Sequence, residues 1–190
     1  MRKLVYYIGA TLDGYIAGPD GEVDFFPLSD EMAAWIKTSF PETIPTHARE
    51  YFGLGGVDNL VFDTVVMGRG TFEPALSVPT TSPYAHLRQY VVSTTLRIDD
   101  PSVTVEAGDP VELVRRLKAE DTGMDIWLCG GGKLAAALLD EIDEIVLKSY
   151  PVVAGAGIPM LAGAFAPTSF LPTRRESLGN GTHVIWLGRP

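Results

Sequence analysis

The stretch Asp125-Ile-Trp-Leu-Cys-Gly-Gly-Gly-Lys-Leu-Ala-Ala-Ala-Leu-Leu139 constrains the fold more than any other part of the chain. A short apolar run at 126–129 meets three glycines and then an alanine- and leucine-rich segment. That is the pattern of a buried strand turning sharply into a helix. Glycines let another molecule approach the main chain, and a helix start leaves N–H groups without intrahelical partners. The stretch is therefore expected to contact an anion or a nucleotide.

The rest of the chain repeats this strand-to-helix rhythm. Residues 3–10 are apolar and β-rich, as suits a central strand covered on both faces, and the Thr11-Leu-Asp-Gly-Tyr-Ile-Ala17 segment leads to a turn cluster at 18–21. Ser29 is placed to cap a helix whose buried face is Met32, Ala33, Trp35 and Ile36. Prolines and glycines make 41–60 an irregular insertion, with a helical turn expected at 47–52. Strands are expected at 63–67, 89–94, 103–105 and 144–150, and a loop at Pro79 and Pro83. Asp109 and Pro110 open a helix in which Glu112 and Arg116 are spaced to pair. Asn180-Gly181 joins two β-rich runs, 174–178 and 183–187, into a hairpin. Strands alternating with helices, closed by a hairpin, imply a single α/β domain over 1–190. Its sheet is mostly parallel, with helices on both faces and an antiparallel edge.

A formal net charge of -9 disfavours a nucleic-acid groove or an anionic membrane surface, both of which reward clustered Lys and Arg. No apolar stretch approaches the roughly 20 residues of a membrane span, and early acids interrupt any signal-like start, so a cytoplasmic protein is expected. The single cysteine, Cys129, lies in an apolar run and reads as a small buried hydrophobe. His47, His86 and His183 show no metal-ligand spacing, and no metal is expected.

Which anion site the glycines build depends on their neighbours. A Walker A loop needs Gly five residues before Gly132 and Ser or Thr after Lys133, where Trp127 and Leu134 stand. Gly130-Gly-Gly-Lys-Leu-Ala135 fits the Rossmann string, but Lys148, Ser149 and Tyr150 occupy the zone of its confirming acid. Arg69 and Thr71 follow one strand, and Ser93 and Thr94 end another. Ligands of open α/β sheets bind outside the C-terminal strand ends, where all these groups are expected. Arg offers a planar fork for phosphate. Taken singly, Arg69 also reads as a surface ion-pair partner, the hydroxyls as a strand end and the glycines as a tight turn. Asp13, after the first strand, either handles a proton or substrate N–H, or folds the Asp-Gly turn with its own side chain.

With these residues in view, the chain resembles the dihydrofolate-reductase superfold, and within it the C-terminal reductase domain family of riboflavin biosynthesis. The likeness rests on Thr11-Leu-Asp-Gly-Tyr-Ile-Ala17, Met67-Gly-Arg-Gly-Thr-Phe-Glu73, Cys129-Gly-Gly-Gly-Lys-Leu134 and Tyr150-Pro-Val-Val-Ala-Gly-Ala-Gly-Ile-Pro159. The resemblance implies an eight-stranded mixed sheet that binds NADPH. Gly68, Arg69, Gly70 and Thr71 would hold cofactor phosphates, and Ser93 and Thr94 would lie at the 2′-phosphate. Gly130, Gly131, Gly132, Lys133 and Leu134 would lie at the pyrophosphate, with the main chain of Ile16 and Ala17 beside the nicotinamide. Asp13 is the candidate for orienting substrate or relaying a proton. Met32 stands where dihydrofolate reductases carry an acid, and Tyr15 follows Asp13-Gly14, so neither folate nor the ribosylaminopyrimidine is assigned as substrate.

The function these readings support is hydride transfer from NADPH to a small C=O or C=N compound, pterin- or pyrimidine-like. The alternatives are an NADPH-binding sensor without catalysis and a purely structural domain. A homodimer is what the resemblance implies.

Overall fold

The computed structural model describes residues 1–190 apart from Pro79 and Thr122. In chain order its strands are β1 (Leu4–Ala10), β2 (Tyr15–Ala17), β3 (Phe62–Gly68), β4 (Arg88–Val92), β5 (Val103–Glu106), β6 (Asp125–Gly130), β7 (Glu144–Ser149), β8 (Ile158–Pro159), β9 (Leu171–Ser177) and β10 (His183–Gly188). The helices are α1 (Asp30–Ser39), α2 (Thr46–Arg49), α3 (Arg69–Phe72), α4 (Pro110–Lys118) and α5 (Gly132–Ala137).

Eight strands form one sheet in the order β5-β4-β3-β6-β1-β7-β10-β9. The pairings from β5 through β7 are parallel, and β10 joins β7 and β9 antiparallel. This is the mixed sheet with a C-terminal hairpin that the sequence predicts. Alternation along β1 divides the core. Val5 and Tyr7 face a layer with Phe40, Phe62 and Trp127, while Leu4 and Tyr6 face Leu113 and Leu117 of α4 and Leu134 of α5. Full burial of each such large side chain stabilises by about 1.5–3 kcal/mol, so both faces of β1 hold the sheet to its covering layers.

The caps form as expected. Ser29 Oγ accepts from Met32 N at 3.1 Å, and Asp109 Oδ1 accepts from Val111 N at 2.9 Å. Met32 and Ile36 turn inward from α1, whereas Trp35 is only half-buried. The expected Glu112–Arg116 pair is replaced: Arg116 reaches Glu106 at 3.0 Å, and Arg115 reaches Glu141. Those acids sit on neighbouring elements, where the tertiary fold offers them at equal ease.

Residues 41–60 are more ordered than their composition suggests. A 3-10 turn over Pro41–Thr43 precedes α2, which starts one residue before the expected helical turn and ends earlier. The fully buried Glu42 anchors the segment by accepting from the N–H groups of Leu60, Val61 and Phe62 at 3.3, 2.9 and 2.8 Å. Arg49, also buried, donates to the carbonyls of Pro41 and Val57 at 2.8 and 2.7 Å. Sequence periodicity cannot see this order, because buried polar groups hold it in place of an apolar stripe. The β2–β8 pair was likewise not expected, being too short for any periodic pattern. Pro79, assigned above to a loop, lies outside the described residues. Among those residues, no helix is long and apolar enough to cross a membrane.

Candidate functional site

The parallel strands β4, β3 and β6 are neighbours and end on the same side, so the segments that follow them form one row. After β3, Arg69, Gly70 and Thr71 begin the short α3, with Gly68 as its extended cap residue. After β6, the chain crosses Gly130 and Gly131, whose shared peptide is cis, and starts α5 at Gly132. Gly130 has φ +126°, a region that side chains disfavour. Both short helices open with N–H groups that no residue of their own turn can accept.

These two segments meet. A Cβ at Gly68 would lie 3.6 Å from Gly131 N, and one at Gly131 would lie 3.5 Å from Thr71 Oγ1. A Cβ at Gly70 would meet nothing within 4 Å. The junction is thus a bare-backbone cradle with one hydroxyl on its rim. Any side chain at Gly130 or Gly131 would fill it, and an anionic group of a dinucleotide fits such a surface.

The segment after β4 joins the row through Arg69. Its Nη1 donates to Thr95 Oγ1 at 2.8 Å, and its Nε lies 3.4 Å from Glu73 Oε1. Ser93 and Thr94 do not end the strand as expected; β4 stops at Val92 and both belong to the following turn. Ser93 is buried, and its Oγ accepts from Thr95 N and Leu96 N at 3.2 and 2.9 Å, so that hydroxyl shapes the turn. Thr94 is exposed. Thr95 and Arg97 complete this edge and were not singled out from the sequence. Arg97 donates to the carbonyls of Thr94 and Leu96. A second arginine beside the Ser-Thr pair was the available signal.

Ile16 and Ala17 lie on β2 and are brought to the row through β8. Tyr15 and Ala17 pair with Pro159 and Ile158. Gly157 packs so tightly under Ala17 that a Cβ there would strike the Ala17 carbonyl, and Gly132 meets the Pro159 carbonyl in the same way. Lys133 projects outward, while the Leu134 side chain belongs to the core and leaves only its main chain for a ligand.

The Asp13 carboxylate is engaged by its own turn and by the loop that follows β7. It accepts from Thr11 Oγ1 at 2.6 Å, Ala154 N at 3.1 Å and Gly155 N at 2.7 Å. These bonds, that from Thr11 first, hold the carboxyl at about 2, well below its ordinary value. Through these bonds Asp13 clamps the 150–157 loop to the 11–14 turn. Glu31, one position from the missing acid of α1, accepts from Gly179 N and docks the C-terminal hairpin.

Beside the cradle lies a cavity of about 230 Å³ on the α1 face of the sheet. Cys129 lines it, and the next residue, Gly130, belongs to the cradle. Tyr7, Gly9 and Trp127 form its floor with Lys148, and Ile36, Thr43, Ile44 and Tyr84 cover it. The 41–60 insertion thus supplies part of the roof. Burial pushes the Cys129 thiol up to about 12, which leaves it unreactive. Among the described residues, no group of three or more His, Cys, Asp or Glu could hold a metal ion.

Comparison with known proteins gives a consistent picture. The sequence profile of the RibD C-terminal domain matches residues 2–184. YwjB of Bacillus subtilis (strain 168), itself uncharacterized, is 32% identical over 162 residues, which cover 84% of this chain and 82% of YwjB. YyaP of the same organism, also uncharacterized, is 30% identical over 173 residues, covering 84% and 80%. The solved structure of a protein assigned to riboflavin biosynthesis in Shewanella sp. PV-4 matches with a TM-score of 0.70 at 24% identity, over 100% of this chain and 99% of that one. A diaminohydroxyphosphoribosylaminopyrimidine deaminase/5-amino-6-(5-phosphoribosylamino)uracil reductase of Thermotoga maritima matches with a TM-score of 0.65 at 15% identity, over 100% of this chain and 57% of that one. At these identities the structural likeness is one of fold.

Proposed function

We propose that this chain, which belongs to the RibD C-terminal domain family, is an NADPH-dependent reductase acting on a small C=O or C=N compound, pterin- or pyrimidine-like. The observation that carries the proposal is the cradle where Gly68 and Thr71 meet Gly130 and Gly131 across adjacent strand ends. Its bare main chain at two helix starts suits a pyrophosphate, and Arg69, with Arg97 on the next loop, suits a further phosphate. Ile16 and Ala17 would border the nicotinamide. A bound NADPH supplies the hydride. The chain's own task is to hold the reacting groups in register and to keep water from the cavity beside them.

One observation favours the alternative of a nucleotide-binding protein without turnover: Asp13, the candidate for handling the proton, has its carboxylate bound to its own loop. The two readings separate in two steps. A thermal-shift titration tests the cofactor, with NADPH expected to raise the midpoint more than NADH. No shift with either removes both readings. Turnover against a panel of carbonyl compounds and pterins then distinguishes a reductase from a sensor. A homodimer and a cytoplasmic location, expected from the sequence and the resemblance, belong to the same proposal, and sedimentation would test the first.

A further inference from the structure

Lys148 is the one residue of the cavity that its surroundings do not explain. It sits on β7 opposite Gly9 of β1 and Val184 of β10, in an otherwise apolar stretch of strand. The missing side chain at Gly9 gives it room, since a Cβ there would crowd the Tyr150 ring and lie 3.8 Å from Lys148 Cε. Its Nζ rests 3.9 Å from the centre of the Tyr7 ring. Among the described residues it has no carboxylate partner. The ring attracts the ammonium only weakly compared with a counter-charge. Burial pulls the amine down to about 8, so at neutral pH the charged form still prevails.

The cavity therefore presents the Lys148 ammonium over the Tyr7 ring, with no free carboxylate as acceptor. Glu42 lies nearby, but its oxygens are committed to the N–H groups of 60–62. Aromatic walls from Tyr7, Tyr84 and Trp127 favour a flat occupant. The volume falls below the roughly 300–1,000 Å³ of sites for drug-sized ligands.

We propose that Lys148 forms an oxyanion subsite in this cavity, and that its occupant is small, planar and negatively charged on oxygen, as a conjugated carboxylate is. That this occupant is the reductase substrate rests on the proposed function; the preference for a negative oxygen rests on the cavity alone.

Isothermal titration of the cofactor-free protein with benzoate and with benzamide tests it. Benzoate is expected to bind at pH 7 and benzamide not. Deprotonation of Lys148 should weaken benzoate about tenfold or more at pH 9.5. The other titratable groups facing Lys148 are the phenols of Tyr7, Tyr84 and Tyr150 and the Cys129 thiol. All are held upward by burial. Lys148→Met should abolish benzoate binding, and Lys148→Arg should preserve it at both pH values, since a guanidinium does not deprotonate there. No benzoate binding at pH 7, equal binding of benzamide, or unchanged binding in Lys148→Met would each overturn the subsite. Pairing these runs with the NADPH thermal shift keeps the two ideas apart. Lys148→Met should leave that shift intact, and a wild-type protein that binds benzoate but not NADPH would refute the reductase and not the subsite.

Discussion

Arg69 Nη1 donates to Thr95 Oγ1 at 2.8 Å, so the cation after β3 is fastened to the hydroxyl-bearing turn after β4. Both groups are near the surface, and an exposed polar pair of this kind stabilises the fold by no more than about 1 kcal/mol. A hydrogen bond from the same guanidinium to a phosphate contributes about 1.5–3 kcal/mol. Arg69→Ala should therefore leave the unfolding midpoint of the free protein nearly unchanged. It should weaken NADPH about tenfold or more, and NADH much less, as read by calorimetry on both cofactors. Equal losses would place Arg69 away from any 2′-phosphate.

Gly131 and Gly132 should respond differently to alanine. At Gly131 the new Cβ meets Thr71 Oγ1 at 3.5 Å, an ordinary contact, so the fold should tolerate it while the cradle is filled. Cofactor binding is expected to fall and stability to stay within about 1 kcal/mol, the span typical of changes that bury nothing new. At Gly132 the Cβ would strike the Pro159 carbonyl, which is main chain and cannot swing aside. Gly132→Ala should lower stability by about 1–3 kcal/mol, as overpacked sites do. Denaturant unfolding of the two variants side by side checks the contrast.

Asp13 makes a pH-dependent contribution to stability. Because its folded value lies near 2, below the ordinary 3.8, its stabilisation is fully present above the ordinary value and fades as pH falls toward 2. Asp13→Asn should thus unfold at a lower temperature than the wild type at pH 7. The two midpoints should converge near pH 2. A difference that persists undiminished at pH 2 would mean that the side chain's charge is not what holds the 150–157 loop.

The strand ends and their glycines were legible in the sequence because each depends on local pattern: apolar runs, Gly-flanked turns, an arginine in fixed register. The fold class followed from their alternation. The cavity was not legible, because its lining comes from β1, β6, β7, α1, the insertion and the loop before β4. One clue was present. Lys148 is a lone cation on the alternating apolar face of β7, two residues beyond Val146. From sequence it registered only as the residue standing where a Rossmann acid would be. Asp13 was legible as a turn residue, but its partners Ala154 and Gly155 lie some 140 residues away, beyond any local rule.

Glu42 should prove the main support of the cavity roof. Glu42→Ala leaves three N–H groups at the start of β3 without their acceptor, and each such group that remains buried costs about 1–3 kcal/mol. The variant should be destabilised by at least that amount for one group. Amide exchange should quicken across 41–62 while protection in β1 and β6 is retained below the unfolding midpoint. Uniform loss of protection would show that the insertion folds as one unit with the sheet.

The sheet order also sets a schedule for folding. β1 comes first in the chain, yet its parallel neighbours are β6 and β7, more than a hundred residues downstream. Loops of that length must close before the central strand gains either partner, and such non-local pairing slows folding. During synthesis, Tyr6 and Tyr7 wait without a partner strand until residue 130 has emerged, and the exposed strand is open to mispairing meanwhile. A nascent chain stopped before β6 should remain protease-sensitive throughout. One extended through β6 and β7 should acquire its first resistant core all at once.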